Sequence, residues 1–197
     1  MLLCSSLSAS LTAGEGLLPN WSFETAAGER PRGWRMFTTP QGLDGDFYVT
    51  DGESGRDTHS GRRALQFRFP AGASLSQAVW MCDPRHGGIE ASPGSYSCAF
   101  WIKSGYLSDG FHAWVSVTGF DRDGQRIDEI ARSDYLGAAA LPAGSWNQVQ
   151  FEFELTSDGA VAYLAPAVVF KTSPDGSANA VPADFRILVD DLVLERY

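Results

Sequence analysis

Cysteine is scarce in this chain, and its basic charge is outweighed by acidic charge. The three cysteines are Cys4, Cys82 and Cys98. So few, and an odd number, exclude a disulfide framework, and no Cys-x-x-Cys or Cys/His spacing builds a zinc site. Cys82 and Cys98 stand as buried thiols or as a bridged pair. Lysine and arginine number 15 against 24 acidic residues, a formal net charge of -9. That balance excludes a nucleic-acid partner, whose phosphates are bound by basic side chains, and an anionic membrane surface. No apolar run approaches the roughly 20 residues that span a bilayer. No segment carries a sustained 3.6-residue apolar stripe with caps, which argues against helices.

What is present is a period near two. Runs rich in Val, Phe, Trp and Tyr cover 64–69, 75–81, 96–103, 111–120, 126–131, 146–155, 161–170 and 185–195, separated by Gly, Pro, Asp and Ser clusters. With an N-terminal run they predict an all-β fold, a two-sheet antiparallel sandwich of jelly-roll type. Hydrophobic residues make up 44%, enough for a packed core. The length of 197 residues suits one domain, 16–197. Residues 1–15 are a disordered lead or the remnant of an export signal that begins upstream, since Met1–Ala13 has no basic residue before its apolar part. The export reading places the protein outside the cell or on its surface.

Alternation assigns faces. Tyr96, Cys98, Phe100 and Ile102 turn inward and Trp101 outward. Leu65, Phe67 and Phe69 turn inward, Gln66 and Arg68 outward. Phe111, Ala113, Val115 and Val117 turn inward, so His112 and Trp114 face solvent. Trp80 is assigned outward in its own run, and Asp121-Arg-Asp-Gly124 is a hairpin turn.

The order of motifs resembles a known family. Leu17-Leu-Pro-Asn-Trp-Ser-Phe-Glu24 opens the series, followed by Pro31-Arg-Gly-Trp34, His59-Ser-Gly-Arg-Arg-Ala-Leu65, Leu75-Ser-Gln-Ala-Val79, Pro93-Gly-Ser-Tyr96, Phe100-Trp-Ile-Lys103 and Trp146. Ile187-Leu-Val-Asp-Asp-Leu-Val-Leu194 closes it. The series is similar to carbohydrate-binding modules of the family four and nine type, on the galactose-binding-like jelly roll. Residues 121–145 and 171–184 look longer than the family core, and such loops shape the cleft.

The resemblance implies non-catalytic binding of a polysaccharide or oligosaccharide and a structural calcium ion. It also implies that the chain works beside a glycan-degrading enzyme. Calcium takes oxygen ligands. Carried over, Glu24 and Asp190 supply carboxylates, Arg62 a backbone carbonyl and Asp57 a further oxygen. Asp191 is left out, because alternation turns it the other way. The outer, concave face of one sheet would hold the glycan, with Trp80, Trp114 and His112 on it and Tyr163 as a further member. On that reading Trp114→Ala abolishes glycan binding with little effect on melting.

Two other functions fit the same fold. One is a structural or adhesion sandwich with no glycan site. The other is a jelly-roll polysaccharide lyase, which would gather Tyr, His and Arg on the concave sheet. No Gly-x-Ser-x-Gly elbow or His-Glu-x-x-His motif is present.

Overall fold

The computed structural model describes residues 17–18, 20–28, 30–105, 110–156, 159–173, 175–182 and 185–197. The expected lead and Cys4 lie outside the described residues. Ten strands of four or more residues build the fold: β1 (Trp34–Thr39), β2 (Asp46–Val49), β3 (Ala64–Arg68), β4 (Gln77–Cys82), β5 (Gly94–Ser104), β6 (His112–Phe120), β7 (Arg126–Arg132), β8 (Trp146–Leu155), β9 (Tyr163–Lys171) and β10 (Ile187–Arg196). They form two antiparallel sheets, ordered β7-β6-β9-β4-β1 and β8-β5-β10-β3-β2. The fold is an all-β sandwich, as the period-two pattern requires.

The inner faces are those read from alternation. Tyr96, Cys98, Phe100, Ile102, Leu65, Phe67, Ala113, Val115 and Val117 all join one core with Phe170, Phe185 and Leu194. Burying each large side chain contributes roughly 1.5–3 kcal/mol, and a one-residue slip would expose a whole set. Cys82 and Cys98 are buried free thiols, and burial pushes both well above the usual thiol range. The Asp121–Gly124 turn is a hairpin between β6 and β7, in which the Asp121 carboxylate accepts from the amides of Asp123 and Gln125.

Three features depart from the expected pattern. Strands β1 and β2 are sheet edges; each buries few positions, so their sequences carry little alternation. Residues 17–18 and 20–24 form bends and turns rather than a strand, yet they lie along β10, where Leu17 donates to the Leu194 carbonyl and Leu192 to that of Trp21. Gln66 is buried at 3% exposure. Its amide donates to the Asp46 carbonyl and its oxygen accepts from Arg186, so the outward position is roofed by polar partners.

Candidate functional site

The register of the first sheet sets one residue per strand into rows across its outer face. Trp114 (β6) pairs with Val169 (β9), Val169 with Val79 (β4), and Val79 with Phe37 (β1). With strands about 4.8 Å apart, this apolar row runs roughly 14 Å across four strands. One flanking row is polar: His112, Lys171, Gln77 and Thr39. The other runs Arg132, Ser116, Ala167, Met81 and Arg35. An apolar strip with hydrogen-bonding groups along one edge suits the apolar face and hydroxyl rim of a sugar ring.

Trp114 belongs to this face but is itself only 6% exposed. Its cover comes from β7. Ser116 opposes Arg132, whereas Ala113 opposes Leu136, so one extra residue is inserted after β7. The bulged segment lays Tyr135 against Trp114, ring centroids 5.1 Å apart and nearly perpendicular. His112 stacks on Trp114 at 5.5 Å, and the Lys171 ammonium lies 5.7 Å from the indole centroid. Tyr135 remains 53% exposed, and its hydroxyl accepts from Arg132 at 2.6 Å. A cavity of about 350 Å³ opens here, lined by His112, Trp114, Tyr135 and Lys171 together with Gly110 and Phe111. The Trp114 indole nitrogen has no hydrogen-bond partner among the described residues.

Trp80 is a correction. It is fully buried in the core, where its indole nitrogen donates to the carbonyls of Phe47 and Gln66. In β4 the buried positions are Ala78, Trp80 and Cys82, so Val79 and Met81 face outward in its place. The run has large apolar residues on both faces, and alternation alone picks the wrong set. Tyr163 has outward parity but stands opposite Phe120, at the far end of β6 from His112, which pairs with Lys171. Eight residues of strand, roughly 27 Å, separate the two, so they cannot share one ligand ring. Tyr135, Lys171, Arg132 and Phe37 were not foreseen. Tyr135 and Arg132 lie in the 121–145 stretch and Lys171 at the start of the 171–184 stretch, both marked as cleft-shaping; Phe37 carries no signal until β1 is in register.

Of the residues expected to hold calcium, Glu24, Arg62 and Asp190 gather at the turn 59–63. In the opening motif Asn20 braces a turn through Thr25 and Arg32, Phe23 enters the core, and Glu24 then reaches the turn, accepting from the amides of Arg62 and Arg63 at 3.0 and 2.9 Å. Asp190 accepts from the amides of His59 and Ser60 at 2.9 and 3.1 Å. The two carboxylates thus hold the same turn from its two ends. Both act on the buried phenol of Tyr48, which burial first, with these carboxylates, pushes up to about 12 against the opposing Arg63. Asp190 is fully buried; burial, then the charge of Asp191, pushes its carboxyl up to about 8. Among the described residues no three His, Cys, Asp or Glu side chains cluster for a metal, so a cation here would need main-chain oxygens. The donor set fits a hard cation in kind, with two carboxylates at one turn; the Arg62 carbonyl of that turn accepts from the Gly52 amide and would keep its second lone pair for a cation.

Asp57 is turned elsewhere. It pairs with Arg56 at 2.8 Å and Arg186 at 3.0 Å, and the Arg56 hydrogen bond, ahead of Arg186, holds its carboxyl down at about 2. Asp191, left out by alternation, joins Asp190 instead. The β10 register shifts after Asp190, and Asp191 takes a φ of 47°. Both carboxylates therefore face the turn, and Asp191 binds the His59 ring at 2.6 Å and the Ser60 hydroxyl at 2.7 Å.

A second cavity, about 830 Å³, lies where edge strands β1 and β2 face each other, walled by Met36, Thr38, Leu43 and Phe47. Phe37, the end of the apolar row, forms part of its lip.

No protein-family model matches the chain, and no curated protein does. Solved structures do. The cyclase Fisc from Fischerella sp. TAU, solved with (3Z)-3-(1-methyl-2-pyrrolidinylidene)-3H-indole, matches at TM-score 0.56 and 14% identity over 91% of this chain and 97% of its own. A structure described by the promiscuous specificity of carbohydrate-binding modules from the β-sandwich superfamily matches at TM-score 0.53 and 13% identity, over 95% of this chain and 64% of that one. The enzymatically active domain of bacteriophage CBA120 tailspike protein 4 matches at TM-score 0.54 and 15% identity. The match covers 92% of this chain but only 21% of the tailspike chain. The likeness is one of fold. The same sandwich carries binding modules and enzymes, so function has to be argued from the site.

Proposed function

We propose that this sandwich binds carbohydrate, without catalysis, through the outer face of its first sheet. The supporting observation is the apolar row Trp114–Val169–Val79–Phe37, bordered on one side by the polar row His112–Lys171–Gln77–Thr39 in the same register. Phe37 at one end of the row and Tyr135, which covers Trp114 at the other, are 46% and 53% exposed and offer the surfaces on which sugar rings stack, with Trp114 packed against Tyr135. Calcium is proposed as a structural ion held by Glu24, Asp190 and the Arg62 carbonyl, offsetting the cost of the buried Asp190 charge.

The test is affinity electrophoresis through gels containing soluble polysaccharides. Tyr135→Ala and Phe37→Ala lose retention on the polymer that retards the parent chain. Their melting temperatures stay close to the parent value, because exposed substitutions cost within about 0.5 kcal/mol. Retention equal to the parent in both variants rejects this face. An unretarded parent chain on every polymer leaves a structural sandwich. For the metal, a strong chelator lowers the melting temperature by several degrees and calcium restores it; no shift, with no metal in the purified protein, sinks the calcium proposal.

One observation favours a lyase as the second reading: His112, Tyr135 and Arg132 are grouped, with His112 and Tyr135 ring centroids 5.0 Å apart. A lyase takes the C5 proton of a uronate, breaks the C4–oxygen bond and returns a proton to the leaving oxygen. Incubation with a uronate polymer settles this, since the unsaturated product absorbs in the ultraviolet and its absence leaves binding alone.

A further inference from the structure

The cavity beside Trp114 has a one-sided chemistry. Its described lining contains no carboxylate and no side-chain amide, although the chain carries 24 acidic residues against 15 basic ones. Lys171 reaches it with an ammonium whose neighbour is the Trp114 ring, and no carboxylate pairs with it among the described residues. Tyr135 accepts from Arg132, which leaves the phenol's own proton free to donate. The Trp114 nitrogen has no hydrogen-bond partner among the described residues, but it is buried and is not open to a ligand. His112 Nδ1 lies 3.0 Å from the Gly110 carbonyl; a carbonyl only accepts, so Nδ1 carries the proton and Nε2 is left to accept from a hydroxyl. One acceptor thus stands beside two accessible donors, one of them a full positive charge.

A neutral sugar presents hydroxyls that both give and take hydrogen bonds, and sites for it mix amides or carboxylates with donors. A lysine and a phenol donor with no carboxylate beside them match a ligand that accepts hydrogen bonds and carries negative charge. We infer that this cavity takes an anionic sugar residue, its carboxylate or sulfate against Lys171, its ring over Tyr135 and a hydroxyl on His112. The inference rests on the carbohydrate reading and deepens it to a ligand class. Along the sheet, Arg132 and Arg35 occupy the adjoining row. Arg35 is paired with Asp83 and Arg132 lies near Glu129, which leaves Lys171 as the group that recognises charge.

The experiment is calorimetric titration and affinity electrophoresis of the full chain with polygalacturonate, dextran sulfate and hydroxyethylcellulose, at low and at raised salt. The variants are Lys171→Gln and, as control, Lys103→Gln on the opposite sheet. Polygalacturonate or dextran sulfate binds more tightly than hydroxyethylcellulose. Lys171→Gln weakens that binding by about tenfold to a hundredfold, the range expected for one charge-assisted hydrogen bond, and salt weakens it too. Lys103→Gln leaves it unchanged. Preference for polygalacturonate identifies a uronate; preference for dextran sulfate, with the same loss in Lys171→Gln, identifies a sulfated sugar. Anionic binding that ignores Lys171→Gln is non-specific and overturns the inference. Equal or tighter binding of hydroxyethylcellulose that Tyr135→Ala abolishes also overturns it, while leaving the carbohydrate reading intact. Binding of none of the three, with another neutral polymer retained, does the same. No retention on any polymer removes both.

Discussion

The two sheets each carry aromatic side chains on their outer faces, and among the described residues only on the first do they border a cavity of their own. On the first sheet, Trp114 is flanked by Tyr135, a cavity and an apolar row. On the second, Trp101 and Trp146 sit under the loop at 53–60. His59 stacks flat on Trp101 at 3.9 Å and meets Trp146 edge-on, while Lys103 binds the Arg56 carbonyl and Arg186 binds Asp57. Asp190 and Asp191 fasten the loop from below. Two outward tryptophans on one face are therefore packing, and a single covered one on the other lines a cavity. What separates them is the loop that crosses each face, not the strand that presents the ring.

The contrast can be broken by mutation. Trp80→Ala has the largest expected effect: a fully buried indole with two hydrogen bonds is lost, and chemical denaturation should record about 3–5 kcal/mol. If that loss is small, Trp80 is not the core residue described. Gly61→Ala comes next. Gly61 has a φ of 55°, and a methyl group there would collide with the Glu24 carboxylate, so a loss of about 1–3 kcal/mol is expected, with chelator sensitivity reduced if calcium occupies this turn.

His59→Ala releases the second face. It removes the Asp191 hydrogen bond and the stack on Trp101, costs about 1–2 kcal/mol, and should open the 53–60 loop to limited proteolysis. Glycan retention should stay as it was; a loss would place the ligand on the second sheet. The smallest effect is in acid. Asp57 is held at about 2 by Arg56 and then Arg186, below its unfolded value near 3.9. Its stabilising contribution is present above pH 4 and lost as pH falls through 2. Arg186→Gln should therefore flatten that part of a stability-against-pH curve, read from urea midpoints.

The fold was legible because each inner face repeats apolar residues every second position, as in Phe111–Val117 and Tyr96–Ile102. Edge strands β1 and β2 were not, since an edge buries too little to impose alternation. At the site, the parity of Trp114 and His112 could be read and that of Trp80 could not, because its run is apolar on both faces. Tyr135 and Asp191 were hidden for a shared reason. Each follows an irregularity in strand pairing, an inserted residue after β7 and a register shift in β10, and both change which way a side chain points. The exposure of Trp114 was also overestimated: at 6% it supports the rings around it. Trp114→Ala is thus a packing variant as well as a binding one, and Tyr135→Ala is the cleaner probe.

The apolar row has one more consequence. Its four members are residues 37, 79, 114 and 169, scattered over most of the chain and adjacent only when β1, β4, β9 and β6 lie side by side. An unfolded chain presents no such strip, so whatever lies along it binds the native state alone. By mass action that ligand raises the free energy of unfolding, by about 2.7 kcal/mol when it is present at a hundred times its dissociation constant. A thermal scan against a library of glycans then reports occupancy of the row without any label, because the ligand acts as a crosswise stitch through four strands.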